Sequence, residues 1–212
     1  MLPDTALNLL FSRKLQVDLL IGSNQDEWLM YLDNSPEELS QMINSYPKDI
    51  QNILKDRAQQ EQSIAHGHDQ ASTLIDLVCP GYAYAHQIVK SDKRAYIYRF
   101  KRVRTGNGGD QLQAYHGAEI PYVFDSHDDW LTTNNDDTAL TKAMVSYWTN
   151  FAKSGDPNDP TSTDLPHWPQ FDEKDPKVLA LSAHISTISA PDFSNCQKIC
   201  PLSLKHLPST TK

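Results

Sequence analysis

The sequence predicts an α/β fold with a mostly parallel sheet flanked by helices. Short apolar runs typical of strands occur at Val17–Ile21, Ala95–Phe100 and Val178–Leu181, and helical patterns lie between them. Strands that alternate with helices are usually joined by crossovers and therefore pair in parallel. The 212 residues are 39% hydrophobic and 22% charged, which is the composition of a globular domain.

The first third of the chain contains three predicted elements. Asp4–Ser12 has the spacing of a short helix. Val17–Ile21 is apolar apart from Asp18, and we interpret it as a strand buried on both faces. A second helix begins after Ser35, with Ser35 as its cap, Pro36 at its first position and Glu38 closing a capping box.

The middle of the chain is more polar. Gln59–Gln70 is interpreted as a surface helix end followed by a loop, with His66 and His68 solvated. Leu74–Val89 has a helical pattern that we expect to be interrupted at Pro80–Gly81, because proline and glycine break helices.

Alternating aromatic residues predict the next strand, Ala95–Phe100. The basic cluster Lys101–Arg104 follows it and borders the glycine-rich stretch Thr105–Gly109. We interpret these residues as a solvated strand end and a hairpin loop.

A long helix is predicted to begin near Asp137 and to end at Gly155. One apolar face repeats at helical spacing and comprises Leu140, Met144, Tyr147, Trp148 and Phe151. Val178–Leu181 forms one more short strand, and the tail past Pro201 is expected to fray.

Charge and hydropathy exclude some classes of function. The net charge of −8 argues against a nucleic-acid partner, because no basic stripe is available to neutralise phosphates. We find no apolar window of about 18 residues, so no membrane span is expected. The first residues also lack the basic and apolar regions of a signal peptide.

The three cysteines have no zinc-type spacing. Cys79 can bridge to Cys196 or to Cys200, which would indicate an oxidising compartment, and three thiols fit the sequence equally well.

Two candidate site residues follow predicted strands. Glu27 comes after Val17–Ile21, and His116 lies on a glycine turn well past Ala95–Phe100. Loops beyond the carboxyl ends of parallel strands are where catalytic residues gather. Imidazole titrates near neutral pH and suits a general base. The alternative is a loop histidine without a chemical role.

Four segments resemble type-B carboxylesterases and cholinesterases. Gly22–Glu27 resembles their acid loop, and His116–Phe124 resembles their histidine loop. Tyr147–Asn158 resembles a late helix with its terminating turn, and Trp168–Pro169 resembles the Trp-Pro pair that follows. The four matches occur in the family's order, and together the resemblance covers about Leu2–Leu181.

The resemblance implies an α/β-hydrolase fold and hydrolysis of a small-molecule carboxylic ester through a serine, an acid and a histidine. It implies Glu27 as the acid, in preference to Asp26, and His116 as the base. Their side chains should then lie within hydrogen-bond reach, about 2.6–3.2 Å. It implies no cofactor and no metal.

The resemblance also concerns the cysteines. Cys79 falls at a half-cystine position of cholinesterase-like members, which favours a bridge to Cys196 or Cys200. A bridge, together with the family, favours a secreted or extracytoplasmic protein.

The chain departs from the family at the nucleophile. It contains no Gly-x-Ser-x-Gly pentapeptide and no glycine-rich oxyanion loop. The resemblance therefore implies an incomplete domain: residues 1–190 as the C-terminal part of the esterase domain, and residues 191–212 as a tail that a disulfide can tether. The N-terminal half is then an expected partner, and the chain alone is expected to be inactive.

Two other functions fit the residues. One is a non-catalytic cholinesterase-like binding or adhesion module. The other is a metal hydrolase that uses His66, His68 and His116.

Overall fold

Four strands form one sheet in the computed structural model of the chain, which describes residues 16–106, 108–127, 129–158 and 164–205. The strands are β1 (Leu19–Asn24), β2 (Ala95–Phe100), β3 (Lys177–Leu181) and β4 (Ser186–Ser189). They lie in the order β1-β2-β3-β4; β1 and β3 are both parallel to β2, and β4 is antiparallel to β3.

Helices connect and flank these strands. They are α1 (Pro36–Asn44), α2 (Lys48–Ala58), α3 (Ile64–Thr73), α4 (Cys79–Lys90), α5 (Gly109–Leu112), α6 (Ile120–Val123), α7 (Asn135–Ser154) and α8 (Phe193–Lys205). A short 3-10 helix spans Leu29–Tyr31, and a π-helical turn spans Leu74–Val78.

Helices cover both faces of the sheet. Because successive side chains of a strand point to opposite faces, β2 contributes to two separate cores. Ala95 and Ile97 join the core formed with α1 to α4 and α8. Tyr96 and Phe100 join the core formed with α6 and α7. The predicted fold class, a partial α/β fold with a mostly parallel sheet, is confirmed.

The first strand differs from its prediction in position and burial. It runs over Leu19–Asn24, and only Ser23 and Asn24 are buried, whereas a strand buried on both faces was expected. Among the described strands β1 pairs only with β2, so its outer edge is unpaired within the part of the chain that the structure describes. The helix predicted at Asp4–Ser12 lies outside the described residues.

The interpretation of Gln59–Gln70 as a surface segment holds for Gln59 and Gln60, which are exposed after the end of α2, and is wrong for the residues of α3. Most of α3 is buried, including His68 and Asp69. The segment is polar because its inward side chains bind backbone groups of a neighbouring loop. His66 is half-buried, and its Nδ1 lies 2.8 Å from Ser63 Oγ.

The interpretation of Lys101–Arg104 as a solvated hairpin is also wrong. Arg102 and Arg104 are buried. The Arg102 guanidinium donates a hydrogen bond to Asp137 Oδ1 at the start of α7, over 2.7 Å. The hairpin among the described strands joins β3 to β4 instead.

The predicted interruption at Pro80–Gly81 does not occur. Helix α4 begins at Cys79 and runs through both residues to Lys90. The backbone at Val78 is already helical, so Pro80 removes one N–H donor from a continuous helical stretch without ending it. The π-helical turn Leu74–Val78 precedes α4 directly.

Several local signals predict helix ends correctly. Ser35 Oγ accepts a hydrogen bond from Glu38 N, and Pro36 is the first residue of α1. Helix α7 begins slightly earlier than predicted, with Asn134 and Asp137 forming a capping box. It ends at Gly155, whose φ of 70° is the left-handed conformation that glycine favours.

A disulfide joins the middle of the chain to its last described helix. Cys79 of α4 is bonded to Cys196 of α8, and their Cα atoms are 4.7 Å apart, which confirms the predicted proximity. The tail expected to fray past Pro201 is helical to Lys205, the last described residue. A division of the chain at residue 190 stays a prediction.

Candidate active site

Glu27 and His116 meet beyond the carboxyl ends of β1 and β2. The strand pairing continues into the acid loop, because Gln25 N donates to Phe100 O over 2.9 Å. His116 Nδ1 lies 2.7 Å from Glu27 Oε2, although the two residues are 89 positions apart. The predicted contact is confirmed. The glutamate side chain is 5% exposed and the histidine side chain is 53% exposed.

Burial governs the ionisation of Glu27. It raises the pKa of the carboxyl, while hydrogen bonds from Asn24 N and from His116 oppose that rise. Asn24 N donates to the second oxygen, Oε1, over 2.6 Å. When Glu27 is ionised and the imidazole is neutral, the carboxylate accepts a hydrogen bond from Nδ1–H of His116 and leaves the lone pair on Nε2.

Asn24 connects the acid loop to the histidine loop. Its Nδ2 donates to Tyr115 O over 2.7 Å and to Glu119 Oε2 over 2.5 Å. Because Tyr115 directly precedes His116, one buried amide holds the backbone of both loops. Sequence reasoning missed this role, and an asparagine at a strand end gives no signal that distinguishes it from a turn residue.

Asp26, the competing acid, contacts other groups. Its Oδ2 accepts a hydrogen bond from Ala114 N over 3.2 Å, and its backbone N donates to Ala114 O over 3.1 Å. Burial raises the pKa of Asp26. The structure thus brings Glu27 to the imidazole and turns Asp26 toward the backbone next to the histidine loop.

Two side chains of helix α3 bind the backbone of the acid loop and of Trp28, which follows it. Gln70 Nε2 donates to Gln25 O over 2.7 Å, and Trp28 N donates to Asp69 Oδ1 over 2.6 Å. Burial raises the pKa of Asp69 to about 6. These residues were assigned to a surface segment from the sequence, so their part in the site was not predicted.

Trp28 lies against the candidate base. Its indole and the His116 imidazole are stacked, with ring centroids 5.3 Å apart and planes inclined by 14°. Offset stacking of this kind is a favourable arrangement for aromatic pairs. Sequence reasoning missed the contact, and the only available signal was an aromatic residue directly after the candidate acid.

A metal site is not assembled from the histidines named in the sequence. The described residues hold no group of three or more His, Cys, Asp or Glu side chains placed to bind a metal ion. Within the same residues, every helix is too short or too polar to cross a bilayer.

The geometry suits proton transfer. A histidine whose Nδ1–H is held by a carboxylate can take a proton at Nε2 and return it, as a general base and acid. Nucleophilic catalysis also needs a hydroxyl or thiol at Nε2, and the sequence has no Gly-x-Ser-x-Gly elbow to present one.

Comparison with known proteins identifies a family. A model of the carboxylesterase family matches residues 1–197. Neuroligin-2 of Homo sapiens is 28% identical over 208 aligned residues, which cover 78% of this chain and 25% of the relative. Carboxylesterase 4A of Bos taurus is 29% identical over 157 residues, which cover 71% of this chain and 26% of the relative. Acetylcholinesterase of Bungarus fasciatus is 29% identical over 110 residues, which cover 50% of this chain and 18% of the relative. The chain spans at most about a quarter of the length of these relatives.

Proposed function

The chain belongs to the carboxylesterase family, and we propose that it supplies the acid and the histidine of a serine-type carboxylic-ester hydrolase. The observation that carries this proposal is the 2.7 Å contact between His116 Nδ1 and Glu27 Oε2. It joins two loops at the carboxyl end of a parallel sheet, which is where active sites of α/β folds lie.

In the proposed mechanism His116 Nε2 accepts the proton of a serine hydroxyl as the serine oxygen attacks the carbonyl carbon of the ester. Glu27 stabilises the imidazolium that results. The imidazolium then gives its proton to the leaving alcohol, and an acyl-enzyme remains. Water, activated by the same histidine, releases the acid.

The serine is proposed to come from an N-terminal half of the esterase domain. The outer edge of β1 supports this, because among the described strands it is unpaired and its backbone groups are available to a further strand. In this proposal the chain is inactive alone, since nucleophile and oxyanion donors lie in the other half.

The proposed location is extracytoplasmic. The disulfide between Cys79 and Cys196 supports it, because disulfides form and persist in oxidising compartments.

The test compares the chain alone with the chain joined to, or co-expressed with, a serine-bearing N-terminal half of the family domain. We expect hydrolysis of a short p-nitrophenyl ester only in the second case. His116→Ala should then lower kcat by several orders of magnitude.

Glu27→Gln tests the acid in the same assembly. A glutamine can accept only one of the two donors at this position, so its NH2 group faces the other, and the proton of His116 moves to Nε2 in part of the molecules. We expect kcat to fall about 10²- to 10⁴-fold with KM little changed. Asp26→Asn is the matched control and should cost far less. Serine-type turnover by the chain alone, blocked by an organophosphate, would contradict the proposal.

A non-catalytic binding module is the second candidate. The similarity to neuroligin-2, a relative that is not named as an esterase, favours it. An assembly that folds and hydrolyses no ester would support this candidate.

A further inference from the structure

Within the described residues, the imidazole of His116 makes one hydrogen bond, at Nδ1. His116 is more than half exposed, and its ring is held at Nδ1 by Glu27. A single bond restrains the ring edge but leaves rotation of the ring plane about that bond. A general base needs its Nε2 lone pair aimed at the nucleophile, so something else must hold the plane.

The Trp28 indole is the group that lies against this plane. The two rings are nearly parallel, at 14°, with centroids 5.3 Å apart. The Nε1–H of the indole is buried and has no acceptor among the described residues, so the contact with His116 involves the aromatic face and not a hydrogen bond from the indole.

The backbone of Trp28 is anchored on both sides. Its N–H donates to Asp69 Oδ1 over 2.6 Å, and its C=O accepts from Tyr31 N over 2.8 Å in the 3-10 helix Leu29–Tyr31. Asp69 is fully buried, and its other oxygen accepts from Gln70 Nε2 over 2.8 Å. The backbone position of Trp28 is therefore set by the buried helix α3 and by the 3-10 helix, and these contacts do not involve the histidine loop.

We propose that Trp28 is a positioning residue for His116: its indole fixes the plane of the imidazole and stabilises the imidazolium formed when Nε2 takes the serine proton. An aromatic face attracts a cation placed over it, and tryptophan does so most strongly. The catalytic part of this statement rests on the proposed function. The positioning part rests on the ring geometry alone.

The first experiment needs no catalysis. In the 212-residue chain, the proton NMR resonance of His116 Nδ1–H, identified by its absence in His116→Ala, reports whether the ring is held against Glu27. Trp28→Phe keeps an aromatic face and gives up no hydrogen bond to protein, so the resonance should persist. Trp28→Leu keeps apolar bulk without the face, so the resonance should broaden or disappear. Equal behaviour of the two variants, in either direction, overturns the proposal.

A second measurement uses the unaltered ring pair, in case Trp28→Leu does not fold. The fluorescence of Trp28 is obtained by subtracting the emission spectrum of Trp28→Phe from that of the wild type. Lowering the pH should quench this fluorescence, because a protonated imidazole then lies on the indole. Asp69, which is bonded to Trp28 N and has its pKa raised to about 6, can also respond to pH, so the stacking is measured by the part of the quenching that His116→Ala removes. A pH-independent difference spectrum would overturn the stacking in solution.

The third measurement is made in the assembly with the serine-bearing half. Trp28→Leu should lower kcat about 2- to 30-fold with KM little changed, which corresponds to the range of a cation–π contact. Trp28→Phe should lie within about threefold of the wild type, and Trp130→Leu, which removes a tryptophan beside Tyr115, should leave kcat unchanged. A wild-type kcat in Trp28→Leu overturns the catalytic part. An assembly that is inactive even as wild type overturns the proposed function, while the two spectroscopic measurements still decide the positioning.

Discussion

Asp69 is a carboxyl group without exposed surface, and three donors surround it. Trp28 N and Thr73 Oγ1 donate to Oδ1, and Gln70 Nε2 donates to Oδ2. Burial outweighs these hydrogen bonds and raises the pKa of Asp69 to about 6. The folded protein therefore holds a proton at this residue over a pH range in which the unfolded chain has lost it.

The pH dependence of stability follows from that difference. Between about pH 4 and pH 6 Asp69 binds more protons in the folded state than in the unfolded state, so its contribution to the free energy of unfolding should fall as the pH rises. The contribution of Asp69 is about 3 kcal/mol, since one pKa unit corresponds to about 1.4 kcal/mol. Urea unfolding at several pH values should give a flatter profile for Asp69→Asn than for the wild type. Asp33→Asn, at an exposed carboxyl, should keep the wild-type slope, and an unchanged slope in Asp69→Asn would refute the assignment.

The residues of the candidate site differ in how far the sequence reveals them. Glu27 and His116 lie in segments whose residue patterns resemble known loops, so their contact was predicted. Asn24, Trp28 and Asp69 act through backbone hydrogen bonds and one ring stack. Such roles depend on three-dimensional neighbours and leave no spacing in the sequence.

Elements were predictable where capping chemistry or alternation marks them. Ser35, Asn134 and Gly155 mark helix ends, and the alternating aromatics of Ala95–Phe100 mark β2. Strand β4, Ser186–Ser189, has three exposed residues and lacks a buried face, so the sequence shows no alternation of apolar and polar residues that would predict it. Helix α3 was misassigned for the opposite reason, because its buried face is polar.

A buried carboxylate lies in the first turn of α7. Asp137 is fully buried, and its Oδ1 accepts hydrogen bonds from Arg102 Nε over 2.7 Å and from Tyr122 OH over 2.6 Å. Its Oδ2 accepts from Asn134 N over 2.9 Å in the capping box. Burial acts to raise the pKa of Asp137, but the donors from Arg102 and Tyr122 hold it below its usual value.

Asp137→Ala should therefore cost about 3–5 kcal/mol in the free energy of unfolding, because the buried Arg102 guanidinium loses its hydrogen-bonded carboxylate, and the exposed Asp136 carboxylate, 3.9 Å from it, is too far away to replace that bond. Asp136→Ala is the matched control in the same helical turn. Its side chain is 60% exposed, so we expect a change of less than about 1 kcal/mol. Urea denaturation of both variants measures the difference. Similar losses in the two would show that the buried ion pair does not stabilise the helix start.

A disulfide links two segments that are far apart in the sequence. Cys79 and Cys196 are 117 positions apart, and their helices α4 and α8 pack on the same core as β2. Tyr82 OH also donates to Pro191 O over 2.9 Å, next to the start of α8. The sequence alone left the bridge open between two partners, because Cys196 and Cys200 are one helical turn apart and fit equally well.

Removing the bridge should destabilise the whole domain by about 2–5 kcal/mol, because a disulfide that closes a long loop restricts the unfolded chain strongly. Cys200 Sγ lies 3.4 Å from Cys79 O, so in Cys196→Ser alone a new bridge to Cys200 can replace the lost one. The clean comparison is therefore Cys196→Ser/Cys200→Ser against Cys200→Ser, by urea unfolding without reductant. We expect the double variant to match the reduced wild type and Cys200→Ser to match the oxidised wild type. A double variant as stable as the oxidised wild type would mean that packing of α8 on α4 closes the domain without the disulfide.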